Sequence, residues 1–387
     1  MKRVLLVVLA LVLILSFGPG AASAAEPIKL GAFFALSGPA AFIGTPTKLV
    51  AEMVVKKINA EGGINGRPLE LVVGDTKGEP TQAVTVAKKF INVDKVAAVI
   101  GPTRTGTGMA VKKVFHEAKV PVFMTVGGDP VIMGGKLGPF DWIFKSPQRS
   151  SVAVEKILGF LKAKGLTKIA VITASDSFGK DGEVWLTKLG PEMGFEIIAQ
   201  ESFNPSDADM TAQLTKIKAK EPQAVVCWTI GPAGSIVAKN AAQIKLGAPL
   251  VQCHGLPDPK YIELAGEAAE GNLMPSTKLM AWEQLPDSDQ QKAVIAEFVK
   301  LYTEAGYDKE FPINTHSGYA WDAIYIVAEA MKKAGTDPAK LREAIEQTKG
   351  FVGISGIFNL SPEDHNGLGV DSMVMVQVKG GKFVMAE

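Results

Sequence analysis

The chain has 387 residues, 47% of them hydrophobic, and carries 41 Lys and Arg against 40 Asp and Glu for a net charge of +1. On a soft prior of roughly 100 to 200 residues per domain, that length suggests two domains, each able to bury its own core. Charges so evenly balanced, with no block of either sign, argue against nucleic acid or an anionic membrane as the main partner.

In chain order, Lys2 and Arg3 precede an apolar run from Val4 to Phe17, and Ala22-Ser23-Ala24 has the small-x-small pattern of a signal-peptidase site. Residues 1–24 therefore read as a cleaved export leader. Its apolar run is about 14 residues, short of the roughly 20 that a spanning helix needs. No Cys stands at the cleavage point, so a lipid anchor there is not expected.

From Ile28, short apolar runs alternate with longer amphipathic segments. "IKLGAFFAL" reads as a strand, and residues 46–59 place Leu49, Val50, Met53, Val54 and Ile58 on one helical face. "EGGINGRP" stops that helix. Strand "LELVVGD", a helix over 80–92, strand "VAAVIG", a helix over 106–118 and strand "VPVFMT" follow. A second series runs from "TKIAVITAS" through helices over 180–193, 208–220 and 232–246, interleaved with "FEIIAQ", "QAVVCWT" and "PLVQCHG". Helical patterns near 288–305, 317–334 and 337–348 precede "FVGISGIFNL" and a last strand, "SMVMVQVKGGKFVMA". Continuous apolar strands separated by helices imply α/β architecture with parallel sheets covered on both faces.

Chemistry-bearing motifs are few. The turn "GPTRTG" after "AAVI" stands where open α/β sheets bind ligands, outside a strand end and at a helix N-terminus. It has no Lys-Ser/Thr pair for a phosphate loop, and Val111 stands where a dinucleotide fingerprint wants a small residue. There is no G-x-S-x-G or H-E-x-x-H, and His116, His254, His316 and His365 lack metal-ligand spacing. Neither an enzyme, a metal site nor a cofactor is therefore expected. His116 reads as structural and His365 as solvated in a polar loop. Cys227 and Cys253 end neighbouring strands, so a disulfide and two buried thiols both remain open.

Taken in order, "IKLGAFFALSGPAAFIG", "INAEGGINGRPLELVVGD", "VIGPTRTGTGMAV", "DSFGKDG" and "AAEGNLM" resemble the periplasmic branched-chain amino-acid binding proteins, the type I solute-binding subunits of ABC importers. The resemblance spans essentially the whole chain after the leader. It implies two Rossmann-like lobes joined by a three-strand hinge, with crossings near 144–147, 272–277 and 353–358. The first lobe would take 26–146 and 277–353, the second 147–276 and 354–387. It further implies a monomeric periplasmic receptor that closes on a small molecule and delivers it to an inner-membrane ABC permease. A ligand-sensing regulator of the amide-binding type shares this fold and is the alternative outside transport.

Residue by residue, the resemblance puts a ligand carboxylate on Thr105, with Thr103 and Thr107 nearby, although Thr105 can equally be a plain helix cap. Arg104 joins that anion grip or is a solvated loop residue. Phe42 or Ile43 from the first lobe and Phe178 from the second would face the ligand's apolar part, with Trp228 beside them, unless they are core. Two positions depart from the family pattern. Gly127-Gly128-Asp129 stands where a small residue and a Thr bind both ends of an amino acid, and His254 replaces the glutamate that holds the ammonium. The expectation is accordingly an aromatic or other organic acid, with a branched-chain or other apolar amino acid as the alternative. Asp129 is the residue able to restore ammonium binding.

Overall fold

The computed structural model describes residues 26–387, so the expected leader lies outside the described residues. Strands β1 (Ile28–Phe34), β2 (Leu69–Asp75), β3 (Ala98–Ile100), β4 (Val122–Met124) and β5 (Ile143–Lys145) form a sheet in the order β2-β1-β3-β4-β5, parallel throughout. Its strands are short and apolar, and helices cover both faces, as burial on two sides requires. Helix α1 (Ala41–Ala60) packs on one face, and α2 (Pro80–Lys89) and α3 (Thr105–Ala118) on the other. On that second face Phe33 is held edge-on by Phe90 and Phe115, with centroids 5.7 and 5.8 Å away.

After β5 the chain enters α4 (Ser150–Ala163) and a second sheet built of β6 (Lys168–Ala174), β7 (Glu196–Phe203), β8 (Ala224–Trp228), β9 (Leu250–Gln252) and β10 (Leu273–Thr277). Helices α4 and α5 (Ser177–Glu192) cover one face of it; α6 (Thr211–Lys218), α7 (Pro232–Gln243) and α8 (Pro259–Ala265) cover the other. Three further helices, α9 (Lys292–Glu304), α10 (Tyr319–Ala334) and α11 (Pro338–Glu346), return to the first core. A small antiparallel pair, β11 (Phe351–Val352) and β12 (Ile357–Phe358), follows.

Three features differ from the sequence expectations. Helix α4 was not expected, yet Ala153, Ile157 and Leu161 recur at i, i+4, i+8 and are fully buried. The last strand is a hairpin, β13 (Met373–Lys379) and β14 (Lys382–Met385), turning at Gly380 and Gly381 with φ of 59° and 73°, the two positive values that a type I′ turn needs. Because β13 lies antiparallel to β10, the second sheet is mixed rather than purely parallel. The third crossing also falls later than 353–358. Ile354, Phe358, Leu360 and Leu368 all bury in the first lobe's core, so the chain leaves that lobe between Leu368 and Met373.

Cys227 and Cys253 are both free and buried, and burial pushes both thiols up. His365 is not solvated: its ring stacks on Phe144 at 4.2 Å, and Nδ1 lies 2.8 Å from the Ile143 carbonyl. The polar letters around it concealed a side chain turned back into the core.

Candidate functional site

The motif "GPTRTG" folds as a turn between β3 and α3. Gly101 has φ of 104°, and a Cβ there would come 2.2 Å from the Phe33 carbonyl oxygen, so glycine is required for the chain to turn off the strand. Thr107 Oγ1 accepts from the Arg104 amide at 3.3 Å and donates to the Arg104 carbonyl at 2.7 Å. The first backbone bond of the helix runs from Gly108 to Arg104, which leaves the preceding N–H groups of the first turn without intrahelical partners. Those groups, with the helix dipole, favour an anion.

The neighbouring hydroxyls are positioned to add to this. Thr105 Oγ1 accepts from the Gly128 amide at 3.1 Å, and Thr103 Oγ1 accepts from the Ala35 amide at 3.0 Å. Each hydroxyl, used here as an acceptor, retains a proton it can donate. Thr125 has instead committed its proton to the Pro102 carbonyl, at 2.9 Å.

This turn lines a cavity of about 220 Å³ between the lobes. Ile43, Arg104, Thr105 and Gly127 enter its wall from the first lobe, and Phe178 and His254 from the second. A Cβ on Gly127 would lie 2.7 Å from the Phe178 ring and 3.2 Å from His254 Nε2, so the lobes close tightly at this glycine. His254 is buried, and the edges of Phe178 and Trp228 hold its ring at centroid distances of 5.4 Å. Neither of its ring nitrogens has a hydrogen-bond partner. Burial, reinforced by the Lys145 charge and the neighbouring His316 ring, pulls its pKa down to about 3, so the imidazole is neutral.

Three of the expected residues lie elsewhere. Trp228 is fully buried and supports His254 and Phe178 from behind rather than lining the cavity. Phe42 covers Gly231 across the lobes, in a smaller apolar cavity with Leu256 and Tyr261. Asp129 is consumed by the structure. It accepts from the Ser150 and Ser151 amides at 2.6 and 3.2 Å and from Ser151 Oγ at 2.8 Å, capping α4, and it lies 3.5 Å from the Lys145 ammonium. A carboxylate tied to so many donors is not available to a ligand.

Sequence reasoning did not single out Asp176, His316 or Tyr319 for this wall. Asp176 caps α5 through the Phe178 and Gly179 amides and pairs with Arg104 across the cleft at 3.1 Å. The run "DSFGKDG" carried a helix-cap signal for it. His316 approaches the Gly255 carbonyl at 3.2 Å, and nothing in "NTHSGYA" marks that meeting. Among the described residues no group of three or more His, Cys, Asp and Glu could hold a metal, and no helix is long and apolar enough to cross a membrane.

Comparison with known proteins fits this geometry. A family model described as periplasmic binding protein matches residues 27–382. A Leu/Ile/Val-binding protein homolog of Brucella suis is 26% identical over 92% of this chain and 91% of its own. The leucine-, isoleucine-, valine-, threonine- and alanine-binding protein of Pseudomonas aeruginosa is 29% identical over 83% of each chain. Among solved structures, an extracellular ligand-binding receptor from Rhodopseudomonas palustris superposes with a TM-score of 0.84, at 26% identity over 94% of this chain and 100% of its own. The substrate-binding protein of a branched-chain amino acid transporter from Streptococcus pneumoniae, in complex with isoleucine, gives 0.80 at 25% identity, covering 93% and 99%. With the family model covering nearly the whole described chain, this protein belongs to the periplasmic binding proteins of type I, the family that includes the branched-chain amino-acid receptors.

Proposed function

We propose that this protein is a non-catalytic periplasmic receptor that closes its two lobes on a small monocarboxylate and presents it to an ABC permease, and that the ligand is an organic acid without an α-ammonium group. The anion half of the reading rests on the first turn of α3, with its free N–H groups, the Thr103 and Thr105 protons and Arg104. The other half is carried by one observation: the acidic residues of the cavity wall are Glu79, which is exposed, and Asp176, which is paired with Arg104. A buried ammonium without a carboxylate of its own costs several kcal/mol, and neutral His254 cannot supply the missing charge. Phe178, Ile43 and Ile230 offer the organic body an apolar wall.

The names of the Brucella and Pseudomonas relatives favour a second reading, in which the ligand is leucine, isoleucine or valine and an ammonium displaces Arg104 from Asp176. Thermal-shift and calorimetric titration of the chain, unfolded and refolded to strip carried ligand, separates the two. Benzoate, 4-hydroxybenzoate or a short aliphatic acid is expected to bind in the micromolar range and the three amino acids are not. Micromolar leucine binding with no response to any acid overturns the reading.

A further inference from the structure

Two imidazoles line the cavity, His254 from the second lobe and His316 from the first, and Gly255 lines the wall with them. Both are at least nine-tenths buried, at 2% and 8% exposure. Burial holds His254 near a pKa of 3 and His316 near 4, so both rings are neutral at any physiological pH. A neutral imidazole has one N–H and one bare nitrogen. His316 Nε2 meets a carbonyl oxygen, that of Gly255, at 3.2 Å, so the proton resides on Nε2 and Nδ1 is the bare acceptor. His254 has both nitrogens without a partner, and its Nε2 faces Gly127, another residue of the wall.

The cavity wall thus holds His254, whose buried donor and acceptor are both without partners, and His316, which keeps Nδ1 as an acceptor. A buried donor and acceptor left unmet are destabilising, so His254 favours a neutral group that both donates and accepts. A hydroxyl does both. A carbonyl or ether accepts only, and leaves the bare nitrogens unmet. An ammonium donates only, and brings a charge that neutral rings do not offset.

We infer that the ligand is a hydroxylated carboxylic acid, its carboxylate held at the first turn of α3 and its hydroxyl bonded to His254 and His316. The inference rests on the organic-acid reading above and adds the second polar group. His254 then determines specificity: the acid grip accepts any small carboxylate, and the imidazoles select the hydroxylated member.

The test uses acid pairs differing by one hydroxyl: benzoate against 4-hydroxybenzoate, and 4-methylpentanoate against 2-hydroxy-4-methylpentanoate. Each is titrated by calorimetry into the refolded chain and into His254→Phe and His254→Gln. In the unaltered protein at least one hydroxylated acid is expected to bind more than about fivefold tighter than its partner. That preference should vanish in His254→Phe, whose ring keeps the contacts with Phe178 and Trp228, and should survive in part in His254→Gln, which retains a donor and an acceptor. If the Phe variant does not fold, as judged by its thermal transition, His254→Leu replaces it. Acid binding with no pair differing by more than about fivefold overturns the inference and leaves the organic-acid reading standing. So does a hydroxyl preference that persists in the Phe or Leu variant. Binding of leucine with no response to any acid removes both.

Discussion

Thr105 is the residue on which the anion grip can be tested most directly, because its oxygen already accepts from the Gly128 amide and its proton is the part left over. Thr105→Val removes both functions, while Thr105→Ser keeps them. Carboxylate binding should weaken by about 1 to 3 kcal/mol in the Val variant and stay near the original in the Ser variant, measured by calorimetry with the tightest acid of the panel. Full affinity in Thr105→Val would reduce the residue to a helix cap. The turn was legible in the sequence because it is local: a turn glycine, hydroxyl residues and the start of a helical pattern occur within a few positions. The rest of the wall was less legible for the opposite reason. Asp129 looked free because nothing in "GGDP" reveals that Ser150 and Ser151, from a helix absent from the sequence reading, would claim both of its oxygens. His316 joins the site through a carbonyl of the other lobe, 61 positions away.

At the scale of elements, α10 shows how one buried carboxylate organises a distant segment. Asp322 accepts from the Ile354 and Ser355 amides at 2.7 and 2.8 Å, fixing the turn between β11 and β12 against the helix. Burial pushes its pKa from the ordinary 3.8 up to about 7, while those hydrogen bonds oppose the shift. The folded chain therefore holds this proton up to about pH 7, and the unfolded chain releases it near pH 4. The stability linked to Asp322 is full below the lower value and is lost as pH rises through the upper one, with a slope approaching 1.4 kcal/mol per pH unit between them. Asp322→Asn should remove that slope. Denaturant unfolding at pH 5 and pH 7 should show the original chain losing more stability over the interval than the variant does, and equal losses would contradict the assignment. The turn is also why the third crossing escaped the sequence. "GISGIF" resembles a link between lobes, but Ile354 and Phe358 are drawn into the first core and Asp322 fixes them there. The parallel strands were legible because burial on both faces makes each a continuous apolar run. The terminal hairpin has the same composition on both sides of its glycines, and its reversal depends on their backbone angles.

On the scale of the whole molecule, the lobes meet through contacts around the cavity. Arg104 of the first lobe pairs with Asp176 of the second, Phe42 covers Gly231, and the Thr315 amide donates to the Pro257 carbonyl at 2.9 Å. A ligand that touches both lobes in the closed form can shift the population toward it only by its difference in affinity for the two forms. The contacts that already favour closure set how much of that work remains. The Arg104 and Asp176 side chains are 30% and 23% exposed, so solvent screens the pair and its own worth is modest, yet it links the two lobes and must be given up for them to separate there. Asp176→Asn keeps an oxygen to cap α5 while weakening the pair, which separates the latch from the cap. Without ligand, this variant should be more open, with a larger radius of gyration by small-angle scattering. With saturating acid its radius should return to that of the original chain. Ligand at about a hundredfold excess over Kd should stabilise either protein by about 2.7 kcal/mol, since that increment depends on occupancy alone. The affinity should fall in the variant, because part of the binding energy now closes the cleft. Salt should narrow the gap between the two proteins, as screening removes the pair from the original chain as well. If the radius without ligand is the same in both proteins, the pair does not latch the cleft; if the radius does not change when acid saturates the variant, the lobes do not close on this ligand.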